Sequence, residues 1–142
     1  MPTRHATATW EGGLQKGKGS FSGESGAVSA SFSFGSRFEQ AKGSNPEELL
    51  AAAEAACYSM ALSAGLEQAG TPVTKVETRA AVTIEKVGAG FAITSIKLVV
   101  RATVPGIDAA KFKAAADKTK ETCPVSQALK AVPIELDAQL VT

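Results

Sequence analysis

Residues 43–70, GSNPEELLAAAEAACYSMALSAGLEQAG, decide the fold. Asn45 can cap a helix, Pro46 suits the first helical position, and Glu47 and Glu48 favour the positive end of the helix dipole. No Gly or Pro interrupts residues 47–64, the stretch is rich in Ala and Leu, and Gly70 and Pro72 close it. A helix of about two dozen residues spans about 36 Å, enough to cross a small domain. Leu49, Leu50, Ala53, Ala56, Cys57, Met60, Ala61 and Ala64 recur at intervals of three and four. Ala52, Ala55 and Leu62 make the opposite side nearly as apolar, so the pattern predicts burial on most sides.

Before this helix, Gly-rich turns separate short runs with strand character: residues 3–11, 14–22 and 28–34. The last alternates Val28, Ala30, Phe32 and Phe34 against serines, with Trp10 and Phe21 anchoring the first two. Residues 35–44 have no consistent period and read as a loop beside the helix start. After it, residues 76–84 and 92–104 form a long hairpin about Gly88 and Gly90. Asp108 caps a second helix over 109–121, Cys123-Pro124 opens a short third helix over 125–130, and residues 134–140 make a last strand. The expectation is an α+β fold, order β-β-β-α-β-β-α-α-β, with antiparallel sheets around a long central helix. Thin meanders cannot cover a helix apolar on all sides in a chain of 142 residues, so burial against a second copy in a homodimer follows.

The length predicts one domain, 1–142, with a core of its own. Fifteen basic and fourteen acidic residues leave a net charge of +1, which gives no argument for a nucleic-acid partner. The opening MPTRHATATWEGG lacks an apolar secretory run and nothing approaches about eighteen continuous apolar residues, so the expected protein is cytoplasmic with no membrane partner. Two cysteines are too few for a disulfide scaffold, and a single histidine, His5, excludes a zinc site that needs two. No metal, flavin or haem site is expected.

The cysteines carry the chemistry that remains. Read alone, Cys57 is a small buried hydrophobe on an apolar helix. Cys123, at the start of a short helix, is placed so that free backbone N–H groups favour its thiolate. A peroxide-reducing thiol needs a thiolate, a cation that holds it ionised and polarises the O–O bond, a group that orients the cation, and a second thiol to resolve the sulfenic acid. Arg37 can supply the cation and Glu47 the carboxylate; their ordinary roles are an exposed loop charge and a dipole partner. Glu47 and Cys57 lie about 15 Å apart along a straight helix, too far for both to touch one guanidinium, which points to a site shared between subunits.

The run RFEQAKGSNPEELLAAAEAACYSMAL, followed by CPVSQALKA, resembles the OsmC/Ohr family of organic hydroperoxide reductases, and the OsmC branch more than the Ohr branch. The likeness extends through WEGGLQKGKG, ESG at 24–26, KVGAGFAIT and VPGID. It implies an intertwined homodimer with two long helices at its centre, Cys57 as the peroxidatic and Cys123 as the resolving cysteine, joined as a disulfide in turnover, with Arg37 and Glu47 as the activating pair. It implies organic hydroperoxides as substrates, re-reduction by dithiols such as dihydrolipoyl groups on lipoylated proteins, and a role in osmotic and oxidative stress. Phe38, Tyr58 and Met60 are the expected pocket for the organic group; Tyr58 stands where the family more often has Phe. Two other functions use the same residues: a thiol redox sensor, and a dimeric module binding a hydrophobic ligand with both cysteines structural. No DNA-binding element or other output module accompanies the thiols, which ranks the sensor below catalysis.

Overall fold

The computed structural model describes residues 1–141 and falls into two compact units, 1–49 and 50–142. In the first, strands β1 (Ala6–Glu11), β2 (Lys18–Gly23) and β3 (Ser29–Phe32) form an antiparallel sheet in that order. Gly19 sits between Trp10 and Phe32 in the register, and a Cβ there would come within 2.6 Å of the Phe32 ring. The missing side chain lets the two rings meet over it with centroids 5.4 Å apart.

Residues 35–44 are more ordered than the expected loop, because Phe34–Phe38 forms a short helix, α1. Ser33 and Ser36 cap it reciprocally: the Ser36 N–H donates to Ser33 Oγ at 3.1 Å and the Ser33 N–H to Ser36 Oγ at 2.8 Å. One helical turn is too short to show a hydrophobic period, and Ser replaces the Glu or Gln that marks such a box in a sequence. The Ser36 hydroxyl also donates to the Ser44 carbonyl at 2.7 Å, tying the segment to the start of the next helix.

That helix, α2 (Pro46–Gln68), starts as its sequence asks: the Glu48 N–H donates to Asn45 Oδ1 at 2.8 Å. It ends at Gly70, whose φ of +90° lets the Thr71 N–H reach back to the Leu66 carbonyl at 2.9 Å. By length and composition it could also cross a membrane. In the chain, however, Glu54, Tyr58, Leu62 and Leu66 form one buried stripe at intervals of four. Ala52, Ala53, Ala56, Met60 and Ala64 are exposed, so the expected burial on most sides is met on one side only within the single chain.

The second unit continues with β4 (Lys75–Val87) and β5 (Gly90–Thr103), an antiparallel hairpin, then α3 (Ala109–Thr122), α4 (Pro124–Ala128) and β6 (Ile134–Leu140). The expectation of wholly antiparallel sheets fails here, because β6 runs parallel to β5 from Ile96↔Ile134 to Ala102↔Leu140. The α3–α4 connection is a crossover long enough to return the chain in the same direction. Ile96, Leu98, Val100 and Ala102 of β5 are buried at a period of two and form one core with Tyr58, Leu62, Leu66, Phe112 and Cys123.

Tyr58 tests this packing, since its ring is fully buried and its hydroxyl donates to the Ala116 carbonyl at 2.9 Å. Burial, with smaller contributions from Asp117 and Cys123, pushes its ionisation above the ordinary value of 10.0. The neutral phenol is the folded form, so its contribution to stability is present below about pH 10 and is lost as the pH rises towards the folded value. Between about pH 8 and about pH 11 the parent protein should lose about 1.4 kcal/mol more stability than Tyr58→Phe, read from urea midpoints. Equal losses would mean that the hydroxyl ionises freely.

Candidate active site

Two constellations contain the residues singled out by sequence. In the first unit, α1 carries Arg37 and the first turn of α2 carries Glu47. The guanidinium grips the carboxylate in a fork: Nη2 lies 2.8 Å from Oε1, and Nε lies 3.2 Å from both carboxylate oxygens. Glu47 is 6% exposed, whereas the Arg37 side chain keeps 36% of its surface open. Its Cζ also lies 5.3 Å from the centroid of the Phe38 ring. Trp10, Leu14, Phe32, Phe34 and Phe38 line a hollow of about 240 Å³ with Arg37 in its wall. The combination is a fixed cation beside apolar surface. Glu47 is the partner expected for Arg37, and the pair forms within one chain.

In the second unit Cys57 meets Cys123. Both are free thiols, their sulfurs are 2.9 Å apart, and Cys123 is fully buried while Cys57 is half-buried. A disulfide of about 2.05 Å asks for a movement of about 1 Å, with no rearrangement of the helices. Cys123 ends α3 and begins α4: its N–H donates to the Thr119 carbonyl at 2.9 Å and its carbonyl accepts the Gln127 N–H at 2.9 Å.

The local electrostatics differ from the expectation at one point. Cys123 makes no side-chain cap on α4, and the Val125 N–H of that helix is directed at the sulfur of Cys57. The short helix therefore favours the thiolate of Cys57 through that N–H. Against it, burial pushes the Cys57 thiol above its ordinary value of 9.0, and the hydrogen bond with Cys123 and the electrostatic influence of Cys123 and Glu54 push the same way. Within these surroundings the balance favours the neutral thiol of Cys57.

The expected pocket residues separate. Phe38 belongs to the Arg37 wall. Tyr58 faces the core, where the polarity of its hydroxyl is spent on Ala116, and Met60 is 75% exposed. His5 is exposed, with Nδ1 2.8 Å from Glu24 Oε2, and among the described residues no group of three His, Cys, Asp or Glu side chains could hold a metal ion. Sequence reading missed Glu54 and Ser126, which form a buried hydrogen-bonded pair between α2 and α4. The signal available was an acidic residue interrupting an otherwise apolar helix one turn before Cys57.

Residues 39–137 match the family model described as OsmC-like protein. The chain is 53% identical over 134 residues to the peroxiredoxin OsmC of Escherichia coli K12, covering 94% of this chain and 93% of that protein. It is 35% identical over 89 residues to the organic hydroperoxide resistance protein of Xanthomonas axonopodis pv. citri, covering 62% and 61%. Among solved structures, the organic hydroperoxide resistance protein OhrB of Bacillus subtilis superposes with a TM-score of 0.73 at 25% identity, over 95% of this chain and 98% of that one. An OsmC-like protein from Mycoplasma pneumoniae reaches a TM-score of 0.77 at 16% identity, a likeness of fold.

The Arg37–Glu47 fork predicts an asymmetric response. Removing Arg37 strands a carboxylate that is almost fully buried, whereas Glu47→Gln leaves a guanidinium that reaches water. Arg37→Ala should cost about 1–3 kcal/mol and more than Glu47→Gln, measured by urea denaturation at neutral pH. The reverse order would show that the carboxylate finds other donors.

Proposed function

The chain belongs to the OsmC family, and from that premise we propose that it is a cysteine-based peroxidase that reduces organic hydroperoxides to alcohols. The observation that carries this reading is the contact of two free thiols, Cys57 and Cys123, in a buried setting. The names of its relatives, peroxiredoxin and organic hydroperoxide resistance protein, support the same reaction class.

In the proposed cycle the Cys57 thiolate attacks the distal oxygen of ROOH. The S–O bond forms as the O–O bond breaks, the alkoxide takes a proton and leaves as ROH, and Cys57 is left as a sulfenic acid. The Cys123 sulfur then attacks Cys57; hydroxide leaves as water with the thiol proton, and a disulfide remains. A dithiol, with dihydrolipoyl groups as the proposed source, reduces it by exchange through a mixed disulfide. Residues Cys57 and Cys123 supply every electron of the first turnover, so the reading needs no metal or organic cofactor.

Arg37 is assigned the cation, oriented by Glu47, that ionises Cys57 and stabilises the leaving alkoxide. The Cys57 environment supports that need, since burial, Cys123 and Glu54 all favour the neutral thiol. The proposed assembly is a homodimer in which the exposed Ala52, Ala53, Ala56, Met60 and Ala64 face of α2 is covered by a second copy, with the ion pair and the thiols serving one shared site. The hollow beside Arg37, walled by Phe34 and Phe38, suits an apolar R group, which hydrogen peroxide lacks.

Purified protein with excess dithiothreitol should consume cumene hydroperoxide in multiple turnovers and hydrogen peroxide more slowly, with both activities lost in Cys57→Ser. Consumption no faster than with dithiothreitol alone would leave the ligand-binding alternative. The charge assignment has its own test in the pH dependence of Cys57 alkylation by iodoacetamide. Arg37→Gln should move the midpoint upward by about 1–3 pH units, because the influences that raise it would then be opposed by the Val125 N–H alone. An unmoved midpoint would remove Arg37 from the site.

A further inference from the structure

Glu54 is a fully buried carboxyl on an apolar helix, and the reaction above does not use it. Its Oε1 accepts the hydroxyl proton of Ser126, and its Oε2 has no hydrogen-bonding partner. A buried orphan oxygen costs folding free energy, so the side chain demands a reason. Ser126 is 2% exposed and is the one buried residue of α4.

The two neighbouring residues at the start of α4 engage two residues of α2 that lie one turn apart on the same face. The Val125 N–H is directed at Cys57, and the Ser126 hydroxyl is donated to Glu54. A helix of five residues has little apolar surface of its own to fix its position, yet its N-cap is Cys123. The hold of α4 on α2 therefore acts, together with α3 on the other side of Cys123, on the distance between the sulfurs.

We propose that Ser126 and Glu54 are positioning residues for disulfide closure: their hydrogen bond clamps the start of α4 to α2 and seats Cys123 against Cys57. The inference rests on the assignment of Cys57 as peroxidatic and Cys123 as resolving. Closure competes with attack of a second hydroperoxide on the Cys57 sulfenic acid, which oxidises the sulfur to sulfinic acid while the peroxide is reduced to alcohol. A clamp that holds the thiols in contact favours closure, and a displacement of about 1 Å slows it by about 100-fold.

The test is the partition between the two products. Reduced protein is mixed with one and with ten equivalents of cumene hydroperoxide, free thiols are trapped with N-ethylmaleimide, and disulfide and sulfinic acid are counted by intact mass. Ser126→Ala should shift the disulfide-to-sulfinic ratio by about 10- to 100-fold towards sulfinic acid. Ser126→Thr, which keeps the hydroxyl, and Glu54→Gln, which keeps the acceptor, should restore most of it. Because a stranded carboxyl can unfold the single variant, Glu54→Leu/Ser126→Ala is measured beside it; removing both polar partners together spares the fold and still removes the clamp.

A parental ratio in this double variant, with native circular dichroism, overturns the clamp, as does a lowered melting temperature in Ser126→Ala without a change in partition. If the parent protein itself forms no Cys57–Cys123 disulfide, the clamp and the cysteine assignment fall together. A parent that closes beside variants that close equally well sinks the clamp alone.

Discussion

The packing of one stripe of α2 against the β4–β5–β6 sheet governs the rest of the second unit. Tyr58, Leu62 and Leu66 enter the core shared with Ile96, Leu98, Val100 and Ala102, and this fixes the rotation of the helix about its axis. Cys57 lies beside Tyr58 in sequence and therefore falls at the edge of the stripe, half covered, where a sulfur can meet both a partner thiol and an incoming molecule. The Tyr58 hydroxyl reaches the Ala116 carbonyl and joins α3 to the same stripe, and α3 ends at Cys123. Hydrophobic burial supplies most of the driving force, and the buried Tyr58 hydrogen bond adds a directional tie between α2 and α3.

This arrangement gives Cys57 an environment at odds with its assigned work. The low dielectric that positions the sulfur also disfavours its charge, and the neighbouring Cys123 and Glu54 add to that. One backbone donor, the Val125 N–H, opposes them. A thiol kept neutral until a cation is presented resists stray oxidation and alkylation, since the thiolate is the reactive form. The forked Arg37–Glu47 pair suits the complementary part: Glu47 is buried and fixed, and the guanidinium keeps a third of its surface open to act on something else.

Much of this was legible in the chain because it rests on local signals. The start of α2 was readable from Asn45, Pro46 and Glu47, and the hairpin from alternation in residues 76–84 and 92–104. Other features depend on contacts distant in sequence or on segments too short for a period. The single turn α1 hides behind a Ser-Ser capping box, and the parallel pairing of β6 is set by the path of α3 and α4, which alternation along β6 does not encode. Cys-Pro marked a helix start correctly, but which sulfur receives its N–H is a question of tertiary packing, and the answer is Cys57. Glu54 was visible as a charge in an apolar run, yet its meaning required Ser126.

The outer face of α2 is exposed in the single chain, and its composition bears on the proposed second copy. Ala52, Ala53, Ala56 and Ala64 are exposed there, with Met60 as the one large side chain. A face turned to lipid gains from bulky aliphatic residues, because the free energy of burial scales with apolar area, and alanine offers little of it. Small side chains instead let a second backbone approach closely, and a flexible Met fills the irregular space left between two helices. The same face carries no charge from Ala52 to Ala64, so a covering helix would leave no ion stranded. The proposed second copy of α2 would meet these requirements with the residues already present, and apolar composition that would suit a membrane by length alone would suit a helix-to-helix seam by side-chain size.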